Sequence, residues 1–242
     1  LSVEAECFGA PIRFSPECVP MVTAPIISTP GDAGALPVPT FGAGRTGLYV
    51  ESVSKACRLI PDRPVFGGMI GPFSLAGNLI GLRQAMVSCC ETPEMIRVVL
   101  EKAALFLISY AKAYKTAGAQ GIILAEPAAG LLPPGLCGVF SSRYVKQIVD
   151  AVQDESFLVI YHNCGGGVID MVPEILDTGA GAYHFGNAVS MEGMLRQMPE
   201  DILSMGNVDP VSVIGGGTPK AVREATLALL ETCGRHPNFL IS

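Results

Sequence analysis

The sequence predicts an α/β fold of the TIM-type (β/α)8 barrel class. Short apolar segments of strand length alternate with longer segments of helical pattern, which predicts a parallel sheet. The short segments carry apolar residues at both odd and even positions, as strands buried on both faces do. Six or seven such units in 242 residues favour one barrel over an open doubly wound sheet, and no GxGxxG motif directly follows a predicted strand. We predict a single domain over residues 1–242.

Seven segments are predicted as strands. All are short and rich in β-branched, aromatic or other apolar residues, and the first is the weakest of them. They cover residues 11–14, 65–70, 121–125, 157–161, 181–185, 203–205 and 238–241.

Five segments between the strands are predicted as helices. In two of them a threonine at the N-cap position precedes a proline at the first helical position, which is a start signal for helices. The helices cover residues 92–116, 141–152, 168–176, 190–198 and 219–233.

Composition excludes several classes of function. The net charge is −6 and no cluster of Lys and Arg occurs, so neither nucleic acid nor an anionic membrane is expected as a partner. The apolar runs are too short to span a bilayer. Eight cysteines are scattered without a disulfide-like spacing, which indicates a reducing, cytoplasmic compartment.

Polar residues of functional type gather where the predicted strands end. In a barrel of this class the active site lies at the carboxyl ends of the strands. Reading only those positions selects a short set of candidates: Asn78, Glu126, His162, Cys164, His184, Asn187, Asn207 and Asp209.

His162 and Cys164 form the sharpest motif among these candidates. Residues two apart on a strand point to the same face, so both side chains would enter the barrel interior. Imidazole nitrogen and thiolate sulfur are ligands that Zn²⁺ prefers. The alternative is structural, because cysteine often packs as a small apolar residue and a histidine at a strand end often only forms hydrogen bonds. The motif also lacks a third ligand, and Cys233 lies on a helix whose pattern indicates packing.

The other candidates have structural alternatives as well. Glu126 ends an apolar strand before a proline, and either caps a loop or serves as an acid, a base or a carboxylate that orients a metal ligand. Asp209 precedes a proline, which is typical of a turn. Alternatively, Asn207 and Asp209 would both line the open end of the barrel at the carboxyl ends of the strands. His184 is either a core histidine or part of the site.

Four segments of the chain resemble one known family. "GGMIGPFSLAGNLIG", "AGAQGIILAEPAAGLLPP", "YHNCG" and "MGNVDPV…GTPKAVREAT" occur in the order found in the uroporphyrinogen decarboxylase superfamily, and the resemblance covers about residues 1–242. It implies a TIM-type barrel, in agreement with the periodicity.

Within that superfamily the chain is similar to the branch of methylcobamide:coenzyme M methyltransferases. This branch carries a His-x-Cys at a strand end, matched here by His162 and Cys164, and a distant cysteine that completes a zinc site. Decarboxylases place a tyrosine where this chain has Asn78. Both features favour the methyltransferase branch.

The resemblance also implies where the third zinc ligand lies. In the methyltransferase branch it follows a strand like "NFLIS", so it is expected beyond Ser242. The arginine-bearing segment of decarboxylases would precede Leu1. We therefore expect the chain to be part of a longer protein, with the family domain incomplete at both termini.

The leading hypothesis is a zinc-dependent methyltransferase. The resemblance implies that methylcobalamin, carried on a separate corrinoid protein, donates the methyl group to coenzyme M or another small acceptor. Glu126 would ligate or orient the zinc, and the asparagines, His184 and Asp209 would line the corrinoid site. One alternative is a metal-free uroporphyrinogen decarboxylase. A second is a corrinoid- or tetrapyrrole-binding subunit without turnover.

Overall fold

A parallel sheet of six strands organises the molecule. The computed structural model describes residues 2–242, so Leu1, from which the expected upstream segment was inferred, lies outside the described residues. An antiparallel hairpin of β1 (Ile12–Ser15) and β2 (Cys18–Val22) stands apart from the sheet. The parallel strands follow in chain order as β3 (Phe66–Ile70), β4 (Gly121–Ala125), β5 (Leu158–Asn163), β6 (Ala182–Phe185), β7 (Leu203–Gly206) and β8 (Phe239–Ile241).

Helices and turns connect successive strands. They are α1 (Val3–Cys7), α2 (Pro30–Ala35), α3 (Thr46–Leu59), α4 (Pro72–Ile80), α5 (Leu82–Glu91), α6 (Pro93–Thr116), α7 (Pro134–Cys137), α8 (Arg143–Val152), α9 (Val172–Leu176), α10 (Met191–Leu195) and α11 (Pro219–Cys233). None of the helices within residues 2–242 is long and apolar enough to cross a membrane.

The predicted parallel α/β fold is confirmed. Within the six-stranded sheet each strand pairs in parallel with the next one along the chain, as in a TIM-type barrel. The six stronger strand predictions match observed strands within two residues at either end. The weak seventh was wrong as a barrel unit, because residues 11–14 belong to the hairpin.

The helix predictions need three corrections. Thr92 precedes α6, but its side chain makes no capping hydrogen bond, whereas Thr218 Oγ1 accepts one from the Ala221 amide. The predicted helix over residues 168–176 is split into a 3-10 turn and α9. Six helices were not predicted: α1, α2, α3, α4, α5 and α7. Helix α4 is buried on nearly every side, so its sequence lacks the polar face that marks a surface helix.

The close pairing of β4 and β5 depends on a glycine. A Cβ on Gly121 would lie 2.1 Å from the Leu158 carbonyl oxygen, which is part of the backbone and cannot turn away. We expect Gly121→Ala to lower the free energy of unfolding by about 1–3 kcal/mol, measured by urea denaturation. Gly68→Ala on β3 is the matched control, since a Cβ there meets nothing within 4 Å, and an equal loss in both variants would contradict the prediction.

Candidate active site at the carboxyl ends of the strands

The strand register brings the predicted site residues to one end of the sheet. Ala125, His162 and His184 occupy one row across β4, β5 and β6. Because side chains alternate along a strand, His162 projects to the face of the sheet opposite Asn163, and Cys164 follows directly after β5. Glu126 and Asn163 project to the opposite side, toward the helices, and both are fully buried. The two sides of the sheet therefore carry different candidate residues.

His162 and His184 lie side by side on the interior face. Their ring centroids are 4.6 Å apart, and His184 Nε2 is 2.7 Å from the Ser242 hydroxyl oxygen. Burial lowers the pKa of His162, and burial together with the neighbouring His162 lowers the pKa of His184 to about 4. Both rings are therefore neutral at pH 7, which is the form that binds a metal.

His162 holds an unpaired polar atom. Its Nδ1 is buried and has no hydrogen-bond partner within residues 2–242. A buried polar atom without a partner costs about 1–3 kcal/mol, so native structures rarely leave one without a reason. The Nδ1 of His162 is therefore a candidate binding atom for a metal or a ligand.

Cys164 is an exposed thiol at the end of β5 and lines a cavity of about 270 Å³. The loop after β6 passes directly beside it. A Cβ on Gly186 would lie 2.6 Å from the Cys164 Cβ, so only glycine allows this close approach. The cysteine therefore faces open space rather than the core, which argues against the structural interpretation of this residue.

Glu126 lies on the helix side of the sheet. Its carboxylate accepts hydrogen bonds from the Phe73 amide (2.6 Å), the Ser74 amide (3.2 Å) and the Ser141 hydroxyl (3.0 Å). The first two donors belong to the N-terminus of α4, where the helix dipole favours an anion. Burial nevertheless raises the pKa of this carboxyl to about 7. A Cβ on Gly71 would lie 2.0 Å from Glu126 Oε2, so glycine is required there.

Asn163 is a buried residue of the site that sequence reasoning missed. Its Nδ2 donates to the Glu126 carbonyl oxygen (3.0 Å) and to the Tyr161 hydroxyl (3.2 Å), and its Oδ1 accepts from the Gly165 amide (2.9 Å). The side chain thus ties the loop after β4 to the loop that carries Cys164. A polar residue between the two candidate metal ligands was the signal in the sequence.

The loss of the Asn163 amide should destabilise the protein. In Asn163→Asp the Glu126 carbonyl loses its donor and a carboxylate enters a buried site. We expect a decrease in the free energy of unfolding of about 1–3 kcal/mol. Asn187→Asp, on the exposed loop after β6, is the matched control and should change it by less than about 0.5 kcal/mol. Urea denaturation of both variants measures the difference, and equal stability of the two would refute the role of Asn163.

The remaining candidates lie in loops around the same end. Asn207 donates to the carbonyl oxygens of Gly186 and Val189, both at 2.9 Å, and so fixes the loop after β6. Asp209 accepts from the amides of Val211 (2.8 Å) and Ser212 (3.0 Å), which is the turn-forming alternative. Asn78 lies on α4 and lines the cavity beside Cys164.

His162 and Cys164 are the two candidate zinc ligands, and the described residues do not bring a third one close to them. Within residues 2–242 no three His, Cys, Asp or Glu side chains lie close enough together to hold a metal ion. Glu126 therefore does not complete a site with His162 and Cys164, and its role as a zinc ligand is not supported by its position. The imidazole nitrogen of His162, unpaired among the described residues, and the sulfur of Cys164 are of the donor types that zinc prefers, and they would supply two of its ligands.

Comparison with known proteins identifies the family of the chain. A family model described as "Uroporphyrinogen decarboxylase (URO-D)" matches residues 1–242. The chain belongs to the uroporphyrinogen decarboxylase family.

Relatives within the family include enzymes of both branches. The chain is 29% identical to "Methylcobamide:CoM methyltransferase MtbA" of Methanosarcina acetivorans and 30% identical to the protein of that name from Methanosarcina mazei, and covers 68% of the length of each. It is 25% identical to the "Uroporphyrinogen decarboxylase" of Alcanivorax borkumensis and covers 63% of its length. Both alignments with the methyltransferases include 96% of this chain. The relatives support a methyltransferase role within the family.

A solved structure shows the same fold. The whole chain superimposes on 71% of a "methyltransferase from Methanosarcina mazei" with a TM-score of 0.86 at 22% identity. At this identity the match establishes the barrel architecture alone.

Proposed function

We propose that the protein is a zinc-dependent methyltransferase that moves a methyl group from a methylated corrinoid to a thiol. The observation that carries this proposal is His162, whose neutral, half-buried ring has a buried Nδ1 without a hydrogen-bond partner among the described residues, two residues from the exposed thiol of Cys164. The pair lies at the carboxyl end of a barrel strand in a chain related to methylcobamide:CoM methyltransferases. Coenzyme M is the acceptor that these relatives' names give, and the acceptor of this chain is a separate question.

His162 and Cys164 would hold the zinc, with a third ligand contributed from beyond Ser242. When bound, zinc would lower the pKa of an acceptor thiol so that a thiolate exists at neutral pH. In the transfer a sulfur–carbon bond forms and the cobalt–carbon bond breaks. The electron pair of that bond stays on cobalt, and the thiol proton passes to water.

The other site residues would act by positioning and binding. Glu126 lies on the opposite side of the sheet from the thiol, so we assign it a positioning role: its amide donates to the His162 carbonyl oxygen at 2.8 Å, and its carboxylate anchors α4. The corrinoid, carried on a partner protein, would dock at the barrel mouth against His184, Asn187, Asn207 and Asp209, with Asn78 beside the acceptor.

Methyl transfer and metal content test the proposal together. The full-length protein, loaded with zinc and given methylcobalamin and a thiol, should convert the thiol to its methyl thioether while the spectrum of methylcobalamin is lost. Metal analysis should find about one zinc per chain. Binding of cobalamin without loss of the methyl group would instead support the non-catalytic corrinoid-binding alternative.

Decarboxylation of uroporphyrinogen is the second candidate, favoured by the family description and by relatives such as that of Alcanivorax borkumensis. The exposed Cys164 at the strand end has no evident use in a metal-free decarboxylase. Incubation of the full-length protein with uroporphyrinogen decides between the two, because formation of coproporphyrinogen by metal-free protein would establish the decarboxylase.

A further inference from the structure

The cavity beside Cys164 has an apolar wall. Aliphatic side chains and proline form most of it, and Leu82 and Leu131 are 41% and 52% exposed at its edge. The residues that line it are Ile70, Ser74, Gly77, Asn78, Leu82, Pro127, Ala128, Leu131, Cys164 and Gly165, among which none is charged.

The nearest feature that could bind an anion is already occupied. Amides at a helix N-terminus attract negative groups, and α4 begins beside the cavity. The Phe73 and Ser74 amides donate to the Glu126 carboxylate instead. The Ser74 hydroxyl also bonds to Glu126 and accepts from the Ala128 amide at 3.1 Å. The one hydroxyl in the wall is therefore committed to the protein.

An anionic acceptor would meet an unfavourable environment here. A sulfonate or carboxylate in an apolar cavity loses its hydration, and no cationic side chain among the described residues of the wall compensates for that loss. The net charge of −6 adds repulsion. An uncharged alkyl group gains free energy by leaving water for the same surface.

We propose that this cavity binds a small, uncharged alkyl thiol as the methyl acceptor and discriminates against thiols that carry a sulfonate or carboxylate. The inference rests on the proposed methyltransferase function. It names the chemical class of acceptor and departs from the coenzyme that the names of the relatives give. The volume of about 270 Å³ sets the size class as small.

A matched set of thiols tests the proposal. The zinc-loaded, full-length protein is assayed with methylcobalamin and 1-propanethiol, 2-mercaptoethanol or 2-mercaptoethanesulfonate. Binding of each thiol in the absence of methylcobalamin is measured by calorimetric titration. We expect kcat/KM and affinity to be at least about tenfold higher for 1-propanethiol than for the sulfonate, with 2-mercaptoethanol between them.

A charge placed at the edge of the cavity should reverse this preference. Leu131→Arg should raise kcat/KM for 2-mercaptoethanesulfonate by about tenfold relative to the wild type, while Leu131→Gln, the uncharged control, should not. A preference of the wild type for the sulfonate, in binding or in turnover, overturns the acceptor inference alone. Methylation of none of the thiols overturns the proposed function and the acceptor inference with it.

Discussion

Replacement of His162 by alanine should abolish both zinc retention and methyl transfer. The imidazole is one of the two zinc ligands proposed here, and one of its ring nitrogens is buried without a partner among the described residues. Loss of a residue that only orients a metal ligand costs about 10–100-fold in metal affinity or activity, so loss of the ligand itself should cost more than about a hundredfold. Metal analysis after dialysis and the rate of thioether formation are the two measurements.

His236 provides the matched control for this variant. It is one of the three histidines of the chain, and its ring also has a buried nitrogen, Nε2, without a partner among the described residues. It precedes β8 and therefore lies at the amino end of the sheet, away from Cys164. His236→Ala should keep its zinc. If His162→Ala retained zinc and activity like the wild type, the proposed metal site would be refuted.

The stability of the protein should fall between pH 4.5 and about 7 because of Glu126. Burial raises the pKa of this carboxyl from 4.5 to about 7 in the folded state. Below pH 4.5 the group is protonated in both the folded and the unfolded state. Between the two pKa values the unfolded chain releases the proton that the folded chain retains, so stability decreases as pH rises. A difference of roughly 2.5 pKa units corresponds to about 3 kcal/mol.

Glu126→Gln isolates this contribution. Urea denaturation of both proteins from pH 4 to pH 8 gives the difference in their free energies of unfolding at each pH. This difference should shift by about 3 kcal/mol in favour of the variant between pH 4.5 and pH 7.5. The low pKa of His184 destabilises the fold as pH falls, but it does so equally in both proteins. Parallel curves for the two proteins are the result that would exclude a raised pKa for Glu126.

Local patterns in the sequence were sufficient to predict the barrel strands. Each parallel strand is a short apolar run between turn residues, and residues 121–125 were predicted with the observed bounds. Helix α11 was also predicted with its observed bounds, because a threonine cap and a proline mark its start. Helix α4 was missed since a helix buried on all sides carries no periodic polar face.

The position of each site residue was predictable along the chain but not in space. The sequence indicated that Glu126 and His162 end neighbouring strands, and spacing placed Cys164 on the same face as His162. It did not indicate that Glu126 projects to the helix side of the sheet. There its carboxylate accepts hydrogen bonds from the amides of Phe73 and Ser74 in α4, which lie more than fifty residues earlier in the chain. That pairing depends on how α4 packs against the turn that follows β4.

The sequence by itself determined the fold class, the family and the His-x-Cys pair, because these depend on short-range periodicity, spacing and motifs. Only the tertiary structure decided the environment of each group: the buried, unpaired nitrogen of His162, the raised pKa of Glu126, the Asn163 bridge between two loops and the apolar wall beside Cys164. Burial and hydrogen bonding join residues that are distant along the chain, and the free energy of a polar group depends on those neighbours rather than on its place in the sequence.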